Sequence, residues 1–197
     1  MNPYENCPIF ENEIYLLRLL ENADADDLLA VYSDQKAQRL FNADNCTGDF
    51  KIDSLECMQR MVSYWLRSYQ IQDFIRWTIY DKTIQKAVGT IELFLRRAND
   101  YYNDCALLRL DLHSDYENED VISKIILLIL MPIFAMFPCK MIATKIIPEG
   151  RARKNAFEAM GFSASKETLI GGHSGVPYTD YFVLRKNQIH QNGIPKG

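Results

Sequence analysis

The sequence predicts an α+β domain, with a mixed and mostly antiparallel sheet of about seven strands, a central parallel pair and about four flanking helices. Two observations carry that prediction. Residues 105–112 alternate the leucines at 108, 110 and 112 with Arg109 and Asp111, the period of two that marks a strand, and residues 139–147 form a second strand closed by Pro148. Between them, residues 121–137 are almost wholly apolar, too long for one strand and too short for a membrane span. They read as a crossover helix buried on most of its circumference, which Pro132 ends or kinks. A strand, helix, strand unit makes its two strands parallel where they share a sheet.

The remaining elements follow in order. Residues 13–20 alternate as a first strand, and 22–33 form a helix with Asp24, Asp26 and Asp27 at its start, where acids suit the positive end of the helix dipole. Residues 39–50 are a polar loop. A second helix spans 54–70, with Leu55, Met58, Met61, Val62, Trp65, Leu66 and Tyr69 recurring at helical spacing as a stripe for core packing. Strands at 74–80 and 87–95 are joined by a turn at Asp81 and form a hairpin. After the central unit, a short basic helix at 149–160 ends at Gly161, a helix C-cap. Strands at 165–170 and 178–184 complete the sheet, linked by the glycine-rich residues 171–177, and the tail from Asn187 frays. The turn at 113–120 joins the central strand to the crossover helix, with Asp115 or Asn118 as its cap.

At 197 residues the chain is long enough for one domain with a real core, its ordered part running from about 13 to 186. A net charge of −4 and a pI near 5.4 argue against a nucleic-acid surface. The polar N-terminus does not resemble a signal peptide, and no stretch reads as a membrane anchor. Five scattered cysteines without a CxxC pair, and three histidines, point to reduced thiols in the cytoplasm rather than to a disulfide scaffold or a zinc site. Residues 171–175 resemble a phosphate loop only on the surface, because no helix follows them.

The element order, together with Leu-Arg-Leu at 17–19, Phe-Ile-Arg-Trp at 74–77, Val-Gly-Thr-Ile at 88–91 and Gly161-Phe162, resembles the GNAT acetyltransferase family. The nearest branch is the ribosomal-protein N-terminal acetyltransferase type, and the resemblance runs from about residue 14 to 186. It implies an acyltransferase that moves an acetyl group from acetyl-CoA to an amine, either a protein N-terminus or a small molecule. The pantetheine arm would pair with the backbone of Leu110, Asp111 and Leu112, as an added strand does. The pyrophosphate would meet amides of Glu117, Asn118, Glu119, Asp120, Val121 and Ile122.

Against the family pattern the cofactor loop is degenerate. Aligned on Tyr116, its two glycine positions are Asn118 and Asp120, and an acid about 4 Å from a phosphate costs on the order of 4 kcal/mol at an effective dielectric of 20. In the last helix the usual Asn and Ser fall on Gly150 and Arg153, and the usual tyrosine acid falls on Phe157. The central-strand glutamate falls on Ala106 or Leu107. The catalytic residue is therefore unassigned, with Asp111 and Tyr116 as candidates and Glu92 and His113 nearby; in most proteins such groups are solvated or structurally hydrogen-bonded. Arg151, Arg153 and Lys154 form a basic edge that is either solvated, a contact for the adenosine 3′-phosphate, or compensation for the acidic turn. The alternative reading is a GNAT-like fold that has lost acetyl-CoA and serves as a binding module.

Overall fold

Eight strands form one sheet in the computed structural model, which describes residues 2–46 and 52–188. The chain opens with two short antiparallel strands, β1 (Phe10–Glu11) and β2 (Tyr15–Leu19). Three helices follow: α1 (Ala25–Ser33), α2 (Gln35–Gln38) and α3 (Leu55–Gln70). A hairpin of β3 (Ile75–Asp81) and β4 (Lys86–Arg96) leads to β5 (Cys105–Leu112), α4 (Glu119–Met136) and β6 (Met141–Lys145). Then come α5 (Arg151–Ala159), β7 (Ser163–Ala164), β8 (Leu169–Ile170), β9 (Pro177–Tyr178) and β10 (Tyr181–Arg185). The sheet order is β1-β2-β3-β4-β5-β6-β10-β7, antiparallel at every pair except β5–β6, while β8 and β9 form a separate ladder.

Local chemistry explains the element boundaries. Ser54 Oγ accepts from the Cys57 amide and opens α3. Asn118 Oδ1 accepts from the Val121 amide at 3.0 Å and opens α4, which runs through Pro132 to Met136, so the proline does not end it. Gly161, at φ 91, takes the left-handed backbone that terminates α5. A Cβ at Gly89 would lie 2.3 Å from the Asp111 carbonyl oxygen, so β4 passes β5 too closely there for any side chain.

The two faces of the sheet are packed differently. Leu108, Leu110 and Leu112 join Ile122, Ile125, Ile126 and Ile129 of α4 in one core. On the other face, Leu28, Val31, Met58, Val62, Trp65 and Phe74 pack α1 and α3 against the sheet. No helix among the described residues is long and apolar enough to cross a membrane.

Three expectations change. The four-residue helix α2 stands between α1 and the expected loop because Asp34 caps it, accepting from the Lys36 and Ala37 amides. The strand expected at 165–170 shrinks to β8: the pairing with β10 falls just before it, at Ser163 and Ala164, while Arg96 donates to the Ile170 carbonyl and Asp100 accepts from its amide, drawing β8 away into its own ladder with β9. The strand expected at 178–184 splits in the same place. The expected fraying tail lies outside the described residues beyond the 3-10 turn Lys186–Gln188.

The β5–β6 ladder pairs Cys105 with Met141 and ends with Leu108 opposite Thr144. Beyond it the strands part, and Arg109 to Leu112 have no ladder partner on that side among the described residues.

Burial grades the contribution of α4 residue by residue. Ile129 is fully buried, so Ile129→Ala is expected to lower unfolding free energy by about 2–5 kcal/mol in a urea titration. Leu128, only partly buried beside the same core, is expected to cost less than Ile129 when cut to alanine; equal losses would put the buried stripe on a different face.

Candidate functional site

The parting of β5 and β6 creates a wedge bounded by the N-terminal ends of α4 and α5. Leu110 and Leu112 send their side chains into the core, which leaves the backbone of this part of β5 as the wall of the wedge. Asp111 points to the opposite face and is 1 % exposed; its Oδ2 accepts from Tyr32 Oη at 2.7 Å and from Arg76 Nη1 at 3.0 Å. Tyr116 donates to Asp81 Oδ2 at 3.0 Å, tying the β5–α4 turn to the β3–β4 hairpin. Burial and that bond to Asp81 raise its pKa. Both candidates are thus engaged in structural hydrogen bonds. His113 lies between Asp34 and Asp115, at 3.7 and 3.6 Å.

The β5–α4 turn is largely self-satisfied. The Glu117 amide donates to Ser114, the Asn118 amide to Tyr116, the Val121 amide to Asn118 Oδ1 and the Ile122 amide to the Asn118 carbonyl. Glu119 and Asp120, the first residues of α4, keep amides of the kind a helix start leaves without an intrahelical partner. The Asn118 carboxamide covers the start of α4, its oxygen taking the Val121 amide. Asp120 pairs with Lys124 at the surface, at 2.6 Å.

Arg153 answers the acidic turn from α5. It is 3 % exposed, holds the Glu117 carboxylate in a fork of hydrogen bonds, and donates Nη1 to the Leu40 carbonyl at 2.9 Å. Of the basic edge, Arg153 is therefore an internal counter-charge, while Arg151 is exposed and Lys154 approaches Glu158 at 3.9 Å.

Residues 40–46 cross the wedge. The Asp44 carbonyl accepts from Arg109 of β5 at 2.7 Å, and its carboxylate accepts from Lys145 of β6 at 2.7 and 2.8 Å and from Tyr181 of β10 at 3.1 Å. The Asn45 amide donates to Tyr178 Oη, and Asn45 Oδ1 accepts from the His173 amide. One short segment thus bonds to both diverging strands and, through Leu40, to Arg153.

Behind this segment lies a buried ionic network on the α1 and α3 face. Arg76 pairs with Glu92 and Asp111, Arg109 pairs with Glu92 at 2.8 Å, and Tyr32 Oη and Thr90 Oγ1 accept from Arg76 Nη1. Arg76 also lies 4.1 Å from the Trp65 ring centre. Burial pushes the Glu92 pKa up, but the two guanidinium groups outweigh it and hold the carboxyl below its usual range. Glu92 is consequently a paired anion and no poised base. Beside the network, a cavity of about 510 Å³ opens between α3 and the sheet.

Sequence reasoning missed Arg76, Arg109, Tyr32 and Asp44. The signal for the first two was present: Arg76, Glu92 and Arg109 are charges inside apolar strands and sit side by side across β3, β4 and β5.

No protein-family model matches the chain, and no curated protein matches it. Solved structures do. RimJ of Mycobacterium smegmatis, determined in complex with CoA-disulfide, aligns at a TM-score of 0.73 and 12% identity, covering 96% of this chain and 92% of that one. The chain has the GNAT acetyltransferase fold. The ribosomal-protein-S5-alanine acetyltransferase of Vibrio fischeri aligns at a TM-score of 0.66 with 15% identity, covering 89% of this chain and 94% of that one. A putative ribosomal-protein-serine acetyltransferase of Vibrio cholerae aligns at 0.67 with 13% identity, covering 94% of this chain and 99% of that one. In this GNAT fold the wedge between β5 and β6 is the feature that singles out β5.

Two measurements test the electrostatics. Arg76→Met leaves Asp111 without a counter-charge and Glu92 with only Arg109, and is expected to cost about 3–5 kcal/mol in urea unfolding. Asp34 is pushed up by burial but held down to about 2 by hydrogen bonds from Ser114, Lys36 and Ala37, against an ordinary 3.8. A depressed carboxyl stabilises fully above its ordinary value and loses that contribution as pH falls toward the folded one. Asp34→Asn is therefore expected to flatten the fall in urea midpoint between about pH 4 and 2; an unchanged slope would assign the acid sensitivity to other carboxylates.

Proposed function

We propose that this protein is an N-acyltransferase that moves an acyl group, acetyl first among them, from acyl-CoA to an amine. The observation that carries the proposal is the wedge: β5 and β6 share a ladder as far as Leu108 and Thr144, and the backbone of Arg109 to Leu112 then has no ladder partner on its β6 side, among the described residues, beside the start of α4. An extended pantetheine arm needs only such a backbone edge, so Leu110, Asp111 and Leu112 fit it. The turn fits the pyrophosphate less well. Asn118 uses the Val121 amide, and Glu117, Glu119 and Asp120 bring negative charge.

The chain's own residues would then act chiefly by position. Aminolysis of a thioester needs a neutral amine aligned with the carbonyl and a route for one proton. Arg109 fixes Asp44 at the apex of the wedge, and the Arg76–Glu92–Arg109 network keeps β3, β4 and β5 in register there.

A second reading has its own support. Residues 40–46 bond across both strands, the Asn118 carboxamide caps the anion turn and Glu117 is locked to Arg153. A GNAT-fold binding module without a donor would look like this.

Calorimetry with acetyl-CoA separates the readings. Under the first, the wild-type chain binds, and Asn118→Gly with Asp120→Gly binds at least about tenfold tighter, within the ~4 kcal/mol scale of one nearby charge pair. Because Asn118 is an N-cap, its change to glycine costs only a few tenths of a kcal/mol in stability, about the usual figure. Asp44→Ala, which releases Lys145 and Tyr181, is also expected to tighten binding. Silence from all three proteins at equal ionic strength leaves only the binding module.

A further inference from the structure

Lys145 places an amine of the chain itself at the apex of the wedge. It is the last residue of β6 and follows directly on Thr144, where the ladder with β5 ends. Leu107 pairs with Ala143 in that ladder, so two residues further along Arg109 and Lys145 lie on one face, at the point where the strands part. Lys145 Nζ donates to both oxygens of the Asp44 carboxylate, at 2.7 and 2.8 Å, while Arg109 donates to the Asp44 carbonyl from the other wall. The same nitrogen lies 5.7 Å from the centre of the Tyr178 ring. The Lys145 side chain is 18 % exposed, against 77 % for Lys140 just ahead of the same strand.

A donor in the wedge would reach this amine with its acyl end. The pyrophosphate lies at the start of α4 and the pantetheine arm runs along Leu112 to Leu110, so the thioester comes to the apex, beside Lys145. A side chain held there by Asp44 and Tyr178 presents its nitrogen to a thioester carbonyl at high effective concentration. Asp44, already hydrogen-bonded to that nitrogen, is placed to take its first proton.

We propose that Lys145 is a self-acylation site, at which the chain's own amine takes the acyl group of a bound acyl-CoA thioester. The inference rests on the acyltransferase reading above. The Lys145 ammonium gives one proton to the Asp44 carboxylate, and the neutral nitrogen forms a bond to the thioester carbonyl carbon. The C–S bond breaks with its electron pair on sulfur, and the second proton of the nitrogen goes to the thiolate. The products are an acyl-lysine and free CoA, and Asp44 returns its proton to solvent. Acylation removes the positive charge, so Asp44 keeps its bond from Tyr181 but loses the ion pair that ties residues 40–46 to β6. The strap across the wedge is thereby loosened.

The full chain is incubated with acetyl-CoA and its lysines are followed by peptide mass spectrometry, with calorimetry of acetyl-CoA binding alongside. Lys145 is expected to be acetylated at least about tenfold faster than the far more accessible Lys140, and excess CoA is expected to abolish that preference. Equal or faster labelling of Lys140 marks unguided chemistry and overturns the proposal. Binding of acetyl-CoA without acetylation of Lys145 also overturns it and leaves the acyltransferase reading standing, whereas absence of binding overturns both. The strap is tested without turnover, on two variants titrated with CoA. Lys145→Arg keeps the charge opposite Asp44, and Lys145→Gln, the neutral counterpart of the acylated residue, is expected to bind CoA at least about threefold tighter than it, the scale of a partly exposed ion pair. Equal affinities overturn the release of the strap.

Discussion

A buried arginine holds the middle of this molecule together. Arg76 sits in the centre of the sheet, 1 % exposed, and reaches Glu92 on the next strand, Asp111 on the one beyond, Tyr32 on α1 and the face of Trp65 on α3. Burial alone works against a guanidinium charge, yet its partners outweigh that and hold its pKa above the usual arginine value. Such a charge has few alternative positions, because each displacement strands a carboxylate in a medium that cannot solvate it. Three strands and two helices therefore share one register. Through Glu92 the constraint passes to Arg109, and through Arg109 to the segment that crosses the wedge.

The fold was legible where burial is periodic. The alternation at 105–112 predicted β5 to the residue, and the apolar run after it predicted α4 to within two residues at its start and one at its end, because both elements are buried in a regular way. Legibility failed where short polar contacts decide. Helix α2 depends on one aspartate cap, and β8 leaves the main sheet because Arg96 and Asp100 hold Ile170. No period announces contacts of that kind. The glycine of Val-Gly-Thr-Ile was visible as a tag, and the approach of β4 to the Asp111 carbonyl supplies its cause.

The site was half legible. The turn at 117–122 stood out for its acids, and the structure places a buried counter-charge, Arg153, against the first of them. That partner lies on a helix 36 residues away, at a spacing that no local pattern reports. Asp44 was harder to find. It belonged to a loop read only as polar, and its importance comes from Lys145, Tyr181 and Arg109 converging on it from three strands. A long-range cluster of this type becomes visible only when the sheet order is known.

The ends of the sheet bear on how the chain behaves in a crowd. The outermost strands, β1 and β7, contain two residues each, so the sheet offers almost no template for an incoming strand at either margin. The edge of Arg109 to Leu112 that faces away from β4, without a ladder partner among the described residues, is instead interior, overlain by residues 40–46 and flanked by two helix ends. Unpaired strand edge thus lies less at the periphery, where it invites amyloid-like stacking between copies, than in an interior recess. Short sheet margins and an interior backbone edge are, in this molecule, consequences of the same distribution of strand lengths.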